Sequence, residues 1–159
     1  LPEVDESYPD TLSGEEIPLY ISQEKAAAYR RFMKDNTLLI TADTIVWLDG
    51  KVYGKPRDIA DAKAMLQALS GKTHTVITGV TLTSLQKQIS FTVSTEVTFA
   101  ALGDDEIDYY VEKYRPLDKA GAYGVQEWIG YIGVTGLKGS YYNVMGLPIQ
   151  RLYTELKKF

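Results

Sequence analysis

Residues 73–100 read THTVITGVTLTSLQKQISFTVSTEVTFA. Threonine, valine, isoleucine and phenylalanine alternate with smaller or polar residues along almost all of it, the period of a half-buried strand. The alternation breaks only near Gln86-Lys87. The reading is two long antiparallel strands joined by a turn there. Just upstream, Ile59 to Leu69 (IADAKAMLQAL) has helical spacing, with Asp58 placed to cap its start and Ser70-Gly71 to end it. Earlier still, Ile45-Val46-Trp47-Leu48 meets Asp49-Gly50 and returns through Val52-Tyr53, a tight hairpin. Leu38-Leu39-Ile40-Thr41-Ala42 reads as a short buried strand that stops at Asp43. Ser13-Gly14-Glu15-Glu16 has the spacing of a capping box. The helix it opens should reach about Phe32, with Ile17, Ile21, Ala28 and Phe32 on one face and Pro18 tolerated in the first turn. Residues 1–13 form an extended lead-in. Downstream, Asp104 caps a helix that turns Ile107, Tyr110, Val111 and Tyr114 inward and closes at Arg115-Pro116. A Gly-rich stretch from Gly121 to Gly146 includes a strand around YIGVTGLKG, and a last helix starts at Pro148 with Leu152, Tyr153 and Leu156. This order of elements fits one α/β domain with a mixed β-sheet flanked by helices.

Composition narrows the chemistry. The chain has 159 residues, with 17 Lys and Arg against 21 Asp and Glu, a net charge of −4. That balance argues against a general nucleic-acid binder, which needs a basic face. The absence of cysteine excludes disulfides, zinc–thiolate sites, iron–sulfur clusters and cysteine nucleophiles. A single histidine, His74, leaves no His-rich metal site and weakens a Ser-His-Asp arrangement. No run of about 18 apolar residues is present, so no membrane span is expected. No signal-peptide pattern or Asn-x-Ser/Thr sequon occurs, and the expected address is cytoplasmic. The chain opens Leu1-Pro2-Glu3 without an initiator Met, so a longer natural protein is expected.

Asp43 is the first candidate for chemistry. A carboxylate that follows a buried strand lies where α/β folds place their ligand crevices, although an Asx-turn or a solvated strand end is an even alternative. Glu6, in Val4-Asp5-Glu6-Ser7, is a candidate second carboxylate that by itself reads as a solvated loop acid. Carboxylates without His or Cys suit hard cations such as Mg²⁺, which keep oxygen ligands and borrow phosphate oxygens from a substrate. Lys25 and Lys55, each alone an ordinary surface lysine, would complete a phosphate-and-metal site with Asp43. Gly130, Gly133, Gly136 and Gly139 recur every three residues, matching neither a dinucleotide fingerprint nor a P-loop, and read as bends and close packing. His74, at a strand start, is expected to be solvated or capping; Trp47 and Trp128 read as core or interface residues.

Five segments then assemble in order. They are Ala42-Asp43-Thr44-Ile45-Val46, Gly54-Lys55-Pro56-Arg57-Asp58, Leu69-Ser70-Gly71-Lys72-Thr73-His74, Asp118 through Gln126 (DKAGAYGVQ) and Gly139 through Pro148 (GSYYNVMGLP). In order and spacing the chain resembles the Maf-like nucleoside triphosphate pyrophosphatases over essentially all of 1–159. The resemblance implies a Maf/ITPase-like domain with an elongated mixed sheet. It implies a cytosolic enzyme, dependent on a divalent cation (Mg or Mn), that cleaves a nucleoside triphosphate into the monophosphate and pyrophosphate. Asp43 matches the family's proton acceptor, Glu6 its acidic partner in holding metal, and Lys25 and Lys55 its phosphate-facing lysines. Thr44 and Gln126 match positions that favour dTTP and UTP in one branch, whereas the 7-methyl-GTP branch differs around both motifs. A homodimer and a link to septum formation are further implications. The family's opening strand, its Ser-x-Ser-Pro-Arg-Arg loop and its first helix have no counterpart here, and Arg30-Arg31 is no substitute for that loop. The alternatives are a non-catalytic, nucleotide-binding regulator of septum formation and the 7-methyl-GTP branch.

Overall fold

The 73–100 segment forms two strands of 11 and 12 residues, β3 (Thr73–Thr83) and β4 (Gln88–Phe99), in the computed structural model, which describes residues 3–159. Residues 84–87 turn between them, with the Ser84 N–H on the Lys87 carbonyl at 2.8 Å. Before them come α1 (Glu16–Tyr29), β1 (Leu39–Leu48), β2 (Lys51–Tyr53) and α2 (Ile59–Leu69). After them come α3 (Asp104–Tyr114), α4 (Trp128–Gly133), β5 (Val134–Lys138), α5 (Tyr141–Met145) and α6 (Ile149–Lys158). The strands form one five-stranded sheet in the order β2-β1-β3-β4-β5. The α/β class with flanking helices holds, but the sheet is not mixed: all four ladders are antiparallel. Two-residue and four-residue turns join β1 to β2 and β3 to β4, and so short a link can only reverse the chain.

Each face of the sheet has its own cover. The odd-numbered side chains of β1 and β3 face α1, where Ile17, Ile21, Ile45 and Ile77 are buried together. The even-numbered face carries the larger core, in which Val46, Leu48, Val76, Val97 and Phe99 meet α2 and α3 through Leu66, Leu69, Ile107 and Val111. A third cluster, Val80, Leu82 and Phe91, receives Leu152 of α6. Each such aliphatic side chain contributes roughly 1.5–3 kcal/mol by leaving water.

Local signals account for several boundaries. Asp58 accepts from the Asp61 N–H at 2.8 Å, and α2 runs from Ile59 to Leu69 as its cap and Gly71 (φ +70°) dictate. Asp49 and Gly50 both adopt positive φ, the turn that matches the twist of a two-residue hairpin.

Other expectations are corrected. Of the lead-in, residues 1 and 2 lie outside the described residues. Ser13 does not cap α1: Gly14 turns left-handed (φ +54°), and only the Glu16 carboxylate reaches back, to the Ser13 N–H at 3.3 Å. Helix α1 ends at Tyr29, and a 3₁₀ turn over Arg30–Phe32 leaves Phe32 59% exposed. Gly103, not Asp104, is the cap of α3. The predicted strand around YIGVTGLKG is split, its first part being helix α4 and only Val134–Lys138 being strand. His74 is neither solvated nor a cap. It alternates onto the same face as Val76, is 1% exposed, and lies edge-on to Phe99 and Tyr123 with Nε2 2.6 Å from the Tyr123 hydroxyl. Burial pushes its imidazole down to about 4, so it is neutral at ordinary pH.

Candidate active site

Strand β1 does not stop at Asp43; it runs straight through it. Asp43 therefore stands in mid-strand, paired across the ladder with Gly79 of β3. That glycine matters for the site. A Cβ there would fall on the backbone of Pro18 and Leu19 in the first turn of α1. With no side chain in the way, α1 lies close against the sheet beside Asp43. Two polar contacts hold it there: the Thr41 hydroxyl donates to the Ser22 carbonyl at 2.7 Å, and the hydroxyls of Ser22 and Thr81 are 2.8 Å apart.

Close seating of α1 brings Lys25 over Asp43. The Lys25 ammonium donates to the Ala42 carbonyl at 3.0 Å and lies 3.4 Å from Asp43 Oδ1. It is also 3.4 Å from Glu6 Oε1, while the other oxygen of Glu6 lies 3.5 Å from Lys55 Nζ. Two carboxylates and two lysines thus alternate along one chain of contacts, Asp43–Lys25–Glu6–Lys55. The Asp43 side chain is only 11% exposed, whereas that of Lys55 is 57% exposed. Burial pushes the Asp43 carboxyl up to about 6; Lys25 opposes that shift and the nearby negative charge of Glu6 adds to it. A carboxylate poised near neutrality in a cleft has the properties of a proton acceptor.

All four groups line a cavity of about 520 Å³, within the range of small-molecule sites. Its position follows from the sheet edge. Strand β2 pairs only with Val46, Trp47 and Leu48, so the outer edge of β1 at Asp43 and Thr44 faces the cavity. Asp43 reaches it from one face and Thr44 from the other. The Thr44 hydroxyl is 2.8 Å from that of Thr78 and donates to the Gly146 carbonyl at 3.4 Å. Thr78 in turn donates to the carbonyl of buried Asn143, whose amide donates to the Val93 carbonyl at 3.0 Å. This chain of contacts pins the wall formed by Val144, Met145 and Gly146. Gln126, exposed on the turn after buried Val125, lines the same cavity.

The structure thus brings all six predicted site residues, Glu6, Lys25, Asp43, Thr44, Lys55 and Gln126, to one cavity. Sequence reasoning missed Tyr8, Asp118, Lys119, Tyr123 and Met145 in its lining. Lys119 had a signal, since it belongs to the DKAGAYGVQ segment; Tyr8, in a polar lead-in, had none.

The family model described as "Maf-like protein" matches residues 1–159. A protein of Phocaeicola vulgatus, named dTTP/UTP pyrophosphatase, is 68% identical over 158 residues, covering 99% of this chain and 82% of that relative. Its namesake in Bacteroides thetaiotaomicron is 65% identical over the same shares of both chains. One from Porphyromonas gingivalis is 55% identical, covering 100% of this chain and 81% of its own. With a match from end to end, the chain belongs to the Maf-like family.

Proposed function

We propose that the protein hydrolyses dTTP and UTP to the nucleoside monophosphate and pyrophosphate, in a house-cleaning role for the nucleotide pool. The observation that carries this reading is the buried Asp43 carboxylate, raised toward neutrality, with Lys25 and Lys55 alongside it in one cavity. Its relatives' name supplies the substrates. In this mechanism Asp43 takes a proton from the water that attacks the α-phosphorus. Lys55, the more exposed lysine, meets the triphosphate as it enters, and Lys25 offsets charge beside the reacting phosphate. Little covalent chemistry falls to the protein in such a transfer; position and charge do most of it.

A divalent cation fits the donor set. Asp43 and Glu6 already converge on one positive charge, the Lys25 ammonium. No group of three His, Cys, Asp or Glu suited to a metal exists among the described residues. A cage of that kind is not required by Mg²⁺, which takes one or two carboxylates and fills its shell with water and substrate oxygens. Asp43 and Glu6 would hold Mg²⁺ or Mn²⁺, which supplies charge stabilisation at the phosphate. A cytoplasmic homodimer without nucleic-acid partners goes with this reading. No helix among the described residues is long and apolar enough to cross a membrane.

Gln126 provides the selectivity. Its side-chain amide has both donors and an acceptor, enough to read the O4/N3 edge of uracil or thymine. The test is pyrophosphate release by the natural protein from a panel of canonical and modified triphosphates with Mg²⁺ or Mn²⁺. dTTP and UTP are expected to lead the panel, and Gln126→Ala should lower kcat/KM for both by about 10-fold or more, the worth of one or two hydrogen bonds. Preference for 7-methyl-GTP would move the protein to the other branch. Tight binding of every nucleotide with no turnover would leave a regulator instead of an enzyme.

A further inference from the structure

Gln126 projects from a turn that is held from below. The hub is Tyr110 of α3, a wholly buried side chain whose hydroxyl is used on both sides. It donates to Glu127 Oε1 at 2.8 Å and accepts from the Gly124 N–H at 3.0 Å. The turn is closed by the Glu127 N–H on the Gly124 carbonyl at 3.0 Å. Lys119 Nζ lies 3.9 Å from the same Glu127 oxygen. A Cβ on Gly124 would meet Glu127 Oε1 at 2.5 Å and Lys119 Cε at 2.9 Å, so the carboxylate and the lysine stem both lie across that glycine. A Cβ on Gly130 would fall on the Val125 carbonyl, so α4 presses on the turn from its far side. Tyr123, Gly124 and Val125 are buried and Gln126 alone is exposed. A phenol has one proton to give, and here it accepts one hydrogen bond while giving that proton to a carboxylate, so the turn is held at two points by one atom.

We propose that Tyr110, acting through Glu127 and the Gly124 amide, is the positioning residue that sets Gln126 against the nucleobase. This rests on the reading of Gln126 as the base-reading side chain. Tyr110 does not line the cavity, so its effect is on where the amide of Gln126 stands. Loss of the hydroxyl leaves a buried N–H and a half-buried carboxylate without their partner, and both ends of the turn are then free to shift. A misplacement of about 1 Å caused by a change far from the chemistry can cost on the order of 100-fold in rate.

The test is the ratio of kcat/KM for dTTP over dCTP, and for UTP over CTP, since cytosine presents the opposite donor pattern at the edge Gln126 would read. Tyr110→Phe keeps the ring and its packing and removes one atom. The ratio is expected to fall about 5-fold or more, with a smaller change in kcat for the best substrate. Glu127→Ala should follow it, and Glu127→Gln, whose amide oxygen can still accept from the phenol, should restore most of the ratio. Glu127 is partly exposed, so these two variants carry the test even if Tyr110→Phe folds poorly. If Gln126→Ala lowers the ratio but Tyr110→Phe and Glu127→Ala leave it intact, the positioning role is overturned and the base-reading role stands. If Gln126→Ala itself leaves the ratio unchanged, the base-reading role fails and the positioning role with it.

Discussion

Asp43→Asn is expected to lower turnover of dTTP and UTP by at least about 100-fold, the low end of what a general base contributes. The substitution is close to isosteric, and an amide oxygen can still accept from Lys25. What is lost is the capacity to take a proton and the negative charge, and with that charge one of the two carboxylates proposed to hold the divalent cation. Metal-free binding of a non-hydrolysable triphosphate, measured with a chelator present, should weaken little, because removing one negative charge from the cavity does not repel a polyanion. The fold should not suffer either. In the protein the buried carboxyl is pushed up to about 6 from the usual carboxylate range, so the folded state prefers its neutral form. The stability this confers is complete below about pH 4 and is lost as pH rises through about 6. Asn is neutral throughout. In the presence of a chelator, the melting temperature of Asp43→Asn relative to wild type should therefore rise between pH 4 and 7. Pyrophosphate release measured beside calorimetry separates the two effects. Undiminished release by a folded variant would remove Asp43 from the mechanism.

How far the sequence could be read depended on the range of the interactions involved. Asp58 and Gly71 act on α2 within one turn, and its limits were legible to the residue. The Asp49-Gly50 turn and the alternation in β3 and β4 were legible as well, the strand ends only to within a few residues. Strand β1 was misread at Asp43 because a charge in mid-strand looks like an end. What makes it tolerable comes from far along the chain: Lys25 on α1, seated where Gly79 of β3 leaves room. His74 was misread for the same reason, since its partner Tyr123 stands 49 positions away. Asp43, Lys25 and Lys55 were recognised as types in a pattern, Asp and Lys without His or Cys; Glu6, Thr44 and Gln126 were placed in the site by the family resemblance. Their geometry was not legible, because Asp43 and Thr44 are neighbours in sequence that point to opposite faces of the sheet. The Tyr110–Glu127–Gly124 clamp was invisible too: Tyr110 carries the spacing of a core residue, and only its hydroxyl departs from that role.

Gly79→Ala is expected to cost about 2–4 kcal/mol of stability, the upper part of the usual range for one added methyl in a packed interior and somewhat beyond it. The reason is what the methyl would strike. A Cβ at this position falls on the carbonyl of Pro18 and the amide of Leu19, which are main-chain atoms with no rotamer to change. Helix α1 would have to lift from the sheet as a body. Lifting it exposes Ile17 and Ile21 and stretches the Thr41–Ser22 and Ser22–Thr81 contacts. It also draws Lys25 away from Asp43, whose carboxyl then loses the one neighbour that most opposes its upward shift. The folded fraction should accordingly turn over more slowly, with its pH profile displaced upward. Gly136→Ala is the control, being the same change in the same sheet. There a Cβ meets only the Thr98 side chain, at an ordinary 3.7 Å, and the cost should stay below about 1 kcal/mol. Denaturant midpoints of the two variants decide the matter. If Gly79→Ala is no worse than Gly136→Ala, the close approach of α1 is not what holds Lys25 against the buried carboxylate, and the seating of that helix must come from its isoleucines and hydroxyl contacts alone.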